Sequence, residues 1–197
     1  HAIMNGETVT GITTFFIEKE IDTGNVLFKE EVPITETDCA GTLHDKLMYK
    51  GSELILKTVQ AIEQKAIKPI PQTKLIGIVP ELKPAPKIFK DDCLINWNST
   101  GKTIYNFIRG LSPYPAAYTK VLDKQGNERG LKIFETAFEP ALHNLPSGQL
   151  ITDHKKQIKV TVSDGYISLL SIQLEGKKRM DTKSFLNGMA IDTIISN

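Results

Sequence analysis

The sequence predicts two parts of different class, an α/β segment over roughly its first third and a small β-barrel of the OB type over its second half. Three observations carry that reading. Two β-branched runs and one long helical period fill the first 63 residues. Five of the ten prolines then fall within residues 66–87. After them, five short β-like runs, separated by turn residues, crowd into about 60 residues. The length, 197 residues, allows one or two domains. The boundaries are drawn at 1–68, 69–87 for the connector, and 88–197.

Residues 9–17 (VTGITTFFI) are rich in β-branched and aromatic side chains, which suit a pleated surface, and read as a strand. EKEIDTG, 18–24, is a turn with Asp and Gly around a Thr. Residues 26–32 (VLFKEEV) form a second strand, expected to pair with the first. A helix follows, with Thr37 or Asp38 placed to accept its free N–H groups and Leu43, Leu47, Leu54, Val59 and Ile62 recurring as one apolar stripe. Gly51 interrupts it and is expected at a close approach to the sheet.

Proline lacks the N–H donor and restricts the residue before it, so 66–87 is an extended linker, with Leu75, Ile76, Ile78 and Val79 packing along a surface. A short helix spans Thr100 to Leu111 on Ile104, Phe107, Ile108 and Leu111, and stops at Ser112, Pro113 and Pro115. Strands are expected at 117–122, 131–138, 148–152, 158–162 and 165–174, with turns at DKQGN, PSG and SDG.

Composition narrows the function classes. At 40% hydrophobic and 24% charged residues, the chain can build a core and is neither disordered nor disulfide-stapled. No apolar run reaches the roughly 20 residues of a membrane span, and no signal peptide opens the sequence. Cys39 and Cys93 lie far apart without CxxC spacing, which fits a reduced, cytoplasmic protein with no cysteine metal site. The net charge of +1 hides an asymmetry. Residues 1–82 carry 8 Lys/Arg and 12 Asp/Glu, whereas 83–197 carry 16 and 11. A basic second half points to an anionic partner. The first residue, His1, is not Met, and the sequence reads as a trimmed or partial chain.

Asp22, in Ile21-Asp22-Thr23-Gly24, is the first candidate for chemistry. A carboxylate on a loop between two apolar strands is rigidly held and accessible, as a general base requires. A turn residue bonding its own backbone has the same signature. Lys177, Lys178 and Arg179 (EGKKRM), with Lys155 and Lys156 (DHKKQ), form two basic turns suited to phosphate contacts. Each alone is an ordinary solvated turn; two on one small domain favour a polyanion. His44, His143 and His154 lack partners at metal-ligand spacing, so no metal is expected. Trp97 and Tyr114 read as core or interface aromatics rather than base-stacking platforms, and Arg109 as structural. No P-loop, GxSxG or GxGxxG occurs.

Taken in order, several stretches resemble the methionyl-tRNA formyltransferases. They are Ala2-Ile3-Met4-Asn5-Gly6, Thr10-Gly11-Ile12-Thr13, Ile21-Asp22-Thr23-Gly24 and Gly41-Thr42-Leu43-His44-Asp45-Lys46-Leu47. Beyond the linker come Ala85-Pro86-Lys87-Ile88, Ile95-Asn96-Trp97, Ile108-Arg109-Gly110-Leu111-Ser112-Pro113-Tyr114-Pro115, Gly176-Lys177-Lys178-Arg179-Met180 and Phe185-Leu186-Asn187-Gly188. The resemblance covers almost the whole chain, and its second-half motifs are the more specific to the tRNA enzyme.

The resemblance implies the C-terminal part of a Rossmann-like formyltransferase domain followed by an OB-like barrel that holds tRNA. It implies formyl transfer from 10-formyltetrahydrofolate, as co-substrate, to the α-amino group of initiator methionyl-tRNA, in the cytoplasm, with no metal and no obligatory protein partner. An Asn, a His and an Asp share the catalysis in that family. Asp22 corresponds to the Asp, and the Asn, the His and most of the folate pocket correspond to positions upstream of His1. The chain alone is therefore expected to be inactive. Two other readings stand beside this one: an amino-sugar-nucleotide N-formyltransferase, which the Asp-Thr-Gly element fits equally, and a non-catalytic tRNA-binding module.

Overall fold

The computed structural model of the chain describes residues 1–75, 83–123 and 125–195. It divides into two compact units, one of Glu7–Thr37 and Thr42–Pro86, the other of His1–Gly6, Asp38–Gly41 and Lys87–Asn197. The expected packing of Ile76, Ile78 and Val79, and Lys124 in the DKQGN turn, lie outside the described residues.

In the first unit, β1 (Val9–Phe15) and β2 (Val26–Pro33) pair antiparallel, Val9 opposite Pro33, with an irregularity at Thr14/Phe15. The helix α1 (Ala40–Glu63) buries Leu43, Leu54 and Thr58. Thr14 and Thr58 share a hydroxyl hydrogen bond of 3.0 Å, Lys50 pairs with Glu30 at 3.1 Å, and the Lys57 ammonium lies 4.6 Å from the centre of the Phe28 ring. The predicted single stripe divides in two. Val59 lies five residues beyond Leu54, about 140° around the helix, and it is exposed together with Ile62. Gly51 is also corrected, because a Cβ there would meet nothing within 4 Å. Ile70 exchanges backbone hydrogen bonds with Val26 at 2.8 and 2.9 Å, and a one-turn helix, α2 (Gln72–Leu75), follows.

The second unit holds a seven-stranded antiparallel sheet built from β3 (Ala117–Asp123), β4 (Glu128–Pro140), β5 (Leu150–Thr152), β6 (Ile158–Val162), β7 (Gly165–Leu174), β8 (Met180–Asp181) and β9 (Ile191–Ile195). Its order is β5-β6-β7-β4-β3-β9, with β8 on β7. The ends β5 and β9 come within 8 Å of each other between Cα atoms, so the sheet curls into a barrel-like form. Ile158, Val160 and Val162 of β6 and Ile167, Leu169 and Ile172 of β7 are all buried in its core, with a period of two along Ile158–Val162 and Ile167–Leu169. The five predicted strands are present, and β8 and β9 are additional.

The helix α3 (Gly101–Leu111) lies against β4 and β7. Thr100 caps it, accepting from the Thr103 N–H. A Cβ at Gly101 would stand 2.0 Å from the Phe138 ring, so only glycine permits this helix–strand approach. Ile104, Ile108 and Leu111 enter the core with Trp97, whose indole donates to Thr119 Oγ1 at 3.0 Å. A short helix, α4 (Thr182–Leu186), buries Phe185 and is capped by Asp181, which accepts from the Ser184 N–H.

Candidate functional site

Asp22 sits at the tip of the β1–β2 connection with φ +58°, a left-handed conformation that Asp and Asn tolerate better than most residues. Three contacts hold it there. The Gln72 side-chain amide donates to the carbonyls of Asp22 (2.6 Å) and Gly24 (2.9 Å). The Thr23 hydroxyl donates to the Glu20 carbonyl at 3.0 Å. Gly24 closes the loop against Phe16, where a Cβ would fall 1.6 Å from the Phe16 carbonyl oxygen and no other residue fits. The carboxylate is exposed and makes no hydrogen bond or ion pair among the described residues. A fixed backbone thus presents an open acceptor to solvent, which suits a group that waits for a substrate or a neighbouring N–H.

The basic turns belong to the barrel unit. Asp153 Oδ1 accepts from the N–H groups of Lys155, Lys156 and Gln157 at 2.8 to 3.0 Å, folding the turn and leaving both lysines exposed. These bonds favour the carboxylate and pull the Asp153 pKa down to about 2. Lys177 and Lys178 are exposed in the other turn. A cleft of about 710 Å³ joins the two turns, lined by His154 and Lys177 together with Arg129, Leu174, Leu186 and Met189. Of the acidic residues along it, Asp123 accepts from Gln125 and Asn127 N–H groups, and Glu175 accepts from the Gly130 N–H.

Arg179 turns away to other partners. Its Nε donates to Ser171 Oγ at 2.8 Å, its Nη2 to Glu135 Oε1 at 2.5 Å, and its guanidinium lies 4.4 Å from the Phe134 ring centre.

Sequence reasoning missed Arg129 and His154 as companions of Lys177. Only the pairing of distant strands brings 129, 154 and 177 to one cleft. Of the two aromatics singled out, Trp97 is 2% exposed and lies in the core, whereas Tyr114 is 84% exposed and lies outside it. His143 is structural, with Nε2 at 2.9 Å from the Gly165 carbonyl and Nδ1 accepting from the Leu145 N–H. Among the described residues no group of three or more His, Cys, Asp or Glu side chains could hold a metal ion, and no helix is long and apolar enough to cross a membrane.

Comparison with known families matches residues 87–190 to the formyl transferase C-terminal domain and residues 1–59 to the formyl transferase domain. The chain belongs to the formyl transferase family. Among its relatives, the methionyl-tRNA formyltransferase of Bacteroides thetaiotaomicron is 51% identical over 190 residues, covering 96% of this chain and 59% of that protein. That of Flavobacterium johnsoniae is 43% identical over 188 residues, covering 95% and 58%. This formyl transferase chain thus spans somewhat under two thirds of the length of the relatives it matches.

Solved structures agree on the fold. HypX from Aquifex aeolicus in complex with tetrahydrofolic acid matches all of the chain over 35% of its own, with a TM-score of 0.66 and 20% identity. The N-formyltransferase from Helicobacter canadensis, in complex with folinic acid and dTDP-3-aminofucose, matches 91% of the chain and 59% of its own, with a TM-score of 0.57 and 19% identity. The resemblance read in the sequence is borne out at family level.

Proposed function

We propose that the protein to which this chain belongs transfers the formyl group of 10-formyltetrahydrofolate to the α-amino group of initiator methionyl-tRNA, in the cytoplasm. The observation that carries the reading is the 51% identity to a methionyl-tRNA formyltransferase across 96% of the chain, through both units. Residues 1–68 are read as the end of a Rossmann-like catalytic domain, 69–87 as the linker and 88–197 as an OB-like tRNA-binding domain.

The folate supplies the formyl group. The amine attacks the formyl carbon, a C–N bond to the amino acid forms as the bond to folate breaks, the amine loses a proton and the folate nitrogen gains one. Asp22 is the carboxylate this chain brings to that exchange. A carboxylate there accepts a hydrogen bond and fixes the ring of a proton-carrying histidine, or takes the proton through it. The fixed loop supports this role, because preorganised acceptors cost no rearrangement when charge develops. Lys155, Lys156, Lys177 and Lys178 are read as phosphate contacts flanking the cleft. Arg179, already shared between Ser171 and Glu135, contributes the least of the five.

The test is substrate competition with a protein carrying this chain and the remainder of the formyl transferase domain. Formylation of methionyl-tRNA at least tenfold faster than of an amino-sugar nucleotide supports the reading. The reverse preference replaces it with the sugar enzyme, and tRNA binding without turnover replaces it with a binding module.

A further inference from the structure

The segment from Ser112 to Ala116, between α3 and β3, has buried ends and an exposed middle. Ser112 and Ala116 are buried, while Tyr114 is 84% exposed. Its ends are pinned from several sides. The Ala116 N–H donates to the Leu111 carbonyl at 2.9 Å, and the Gly41 N–H donates to the Ser112 carbonyl at 3.1 Å. In the last turn of α3 the buried Arg109 donates to Asn106 Oδ1 at 2.9 Å and to the Asp38 carbonyl at 2.8 Å. Pro113 and Pro115 fix their own φ angles, and Pro115 also narrows the backbone choices of Tyr114. The chain thus presents a large aromatic ring to water from a restricted backbone. The Tyr114 hydroxyl has no hydrogen-bond partner among the described residues, so neither end of the ring is used by the fold.

One cation reaches the residue that follows Tyr114. Lys132 reaches the Pro115 carbonyl at 3.5 Å, and in the β3–β4 register Lys132 stands opposite the half-buried Tyr118. The Tyr118 carbonyl accepts from the Ile95 N–H at 2.9 Å, which lays Leu94 and Ile95 beside this end of β3. Earlier in the same segment Phe89 is exposed, with the Lys87 ammonium 5.3 Å from its ring centre. Of the adjacent acids, Asp92 is taken up by the Phe89 N–H at 2.8 Å.

We propose that Tyr114 is a stacking platform for an unpaired base of single-stranded RNA, with Lys132 taking the adjoining phosphate. The inference rests on the reading of this protein as acting on tRNA, and it names the single-stranded part of that partner as what this surface meets. Rings interleaved with lysines are what a single strand requires, because every base has a stacking face and every link a negative charge. A protein partner would use the ring equally but has no need of the lysines.

The experiment uses the full 197-residue chain and an RNA hairpin with a four-nucleotide 3′ tail carrying 2-aminopurine, beside the same hairpin without a tail. Binding of the tailed RNA is expected to quench the 2-aminopurine fluorescence. Tyr114→Phe keeps the quenching. Tyr114→Ala removes it and weakens tailed-RNA binding between about fivefold and about a hundredfold, with blunt-hairpin binding unchanged. Because the side chain is exposed, the Ala variant is expected to keep its circular dichroism and melting temperature. Equal quenching and affinity in Tyr114→Ala overturns the platform and leaves the tRNA reading standing. A wild-type chain that binds neither hairpin overturns the platform, and a protein carrying the whole formyl transferase domain that fails to bind methionyl-tRNA removes the tRNA reading as well. Self-association lost in Tyr114→Ala, with RNA binding unchanged, assigns the ring to a second copy of the chain and overturns the proposal.

Discussion

At the scale of single residues, the left-handed backbone of Asp22 makes one substitution informative and another ambiguous. Asn shares the tolerance of Asp for φ near +58°, so Asp22→Asn removes the charge and leaves the loop. In a protein carrying the whole formyl transferase domain, it is expected to lower kcat/KM for formyl transfer by about 10²–10⁴-fold with an unchanged melting temperature. Near-normal turnover would reduce Asp22 to a turn residue. Asp22→Ala adds backbone strain and mixes the two effects. The 197-residue chain alone is expected to give no detectable transfer, because its one proposed catalytic group stands exposed to solvent, where a charge that develops on the substrate is screened. Asp153 offers a second residue-scale test. Three N–H groups hold its pKa at about 2 against an ordinary 3.8. A depressed folded pKa means the turn's stabilisation is complete above about pH 4 and is lost as pH falls toward 2. NMR titration of the Asp153 carboxyl should place its midpoint near 2. A midpoint near 4 would mean that the three bonds do not form in solution.

At the scale of elements, α1 carries two stripes that behave oppositely. Leu54 is buried, and Leu54→Ala is expected to cost about 2–5 kcal/mol. Met48, Ile55 and Ile62 recur every seven residues with Val59 between the last two, and all four are exposed. Replacing Ile55 and Ile62 by Gln is expected to leave stability within about 0.5 kcal/mol each while lowering binding of a hydrophobic dye. A large loss of stability would show that the stripe is covered in solution. The sequence shows period but not phase. The helical repeat of α1 was legible because i, i+4 and i+7 positions are local, yet which stripe faces the hairpin depends on Thr14 meeting Thr58, 44 residues away. The strands from β3 to β7 were legible through alternation and turn residues. The pairing of β9 with β3 was not, because a short run such as Ile191–Ile195 gains strand geometry from the partner it meets. The exposed loop position of Asp22 was legible because its loop is local. The cleft was not, since it gathers residues 129, 154 and 177 through strand order alone. The exposure of Tyr114 was hidden by composition, because a tyrosine between prolines reads the same whether its ring is covered or free.

At the scale of the whole molecule, the charge asymmetry acquires a location. Residues 83–197 carry the surplus of lysine and arginine, and two exposed lysine pairs stand on turns whose neighbours His154 and Lys177 share one cleft. Each phosphate neutralised by a lysine releases counterions, so affinity for tRNA should fall steeply with salt, and the slope of log K against log salt counts the contacts. Changing Lys155, Lys156, Lys177 and Lys178 to Gln is expected to weaken binding for all tRNA sequences alike and to flatten the slope by roughly 3 if all four touch phosphate. The turns should survive the change, because Asp153 is held by backbone N–H groups and the Lys177 N–H bonds the Leu174 carbonyl, neither of which depends on a lysine side chain. Arg179 supplies the internal control. Its guanidinium is committed to Ser171 and Glu135, so Arg179→Gln should disturb the packing over Phe134 and lower the melting temperature, with little effect on the slope. A slope unmoved by the four lysine changes, or moved mainly by Arg179→Gln, would place the anionic partner elsewhere on the barrel unit.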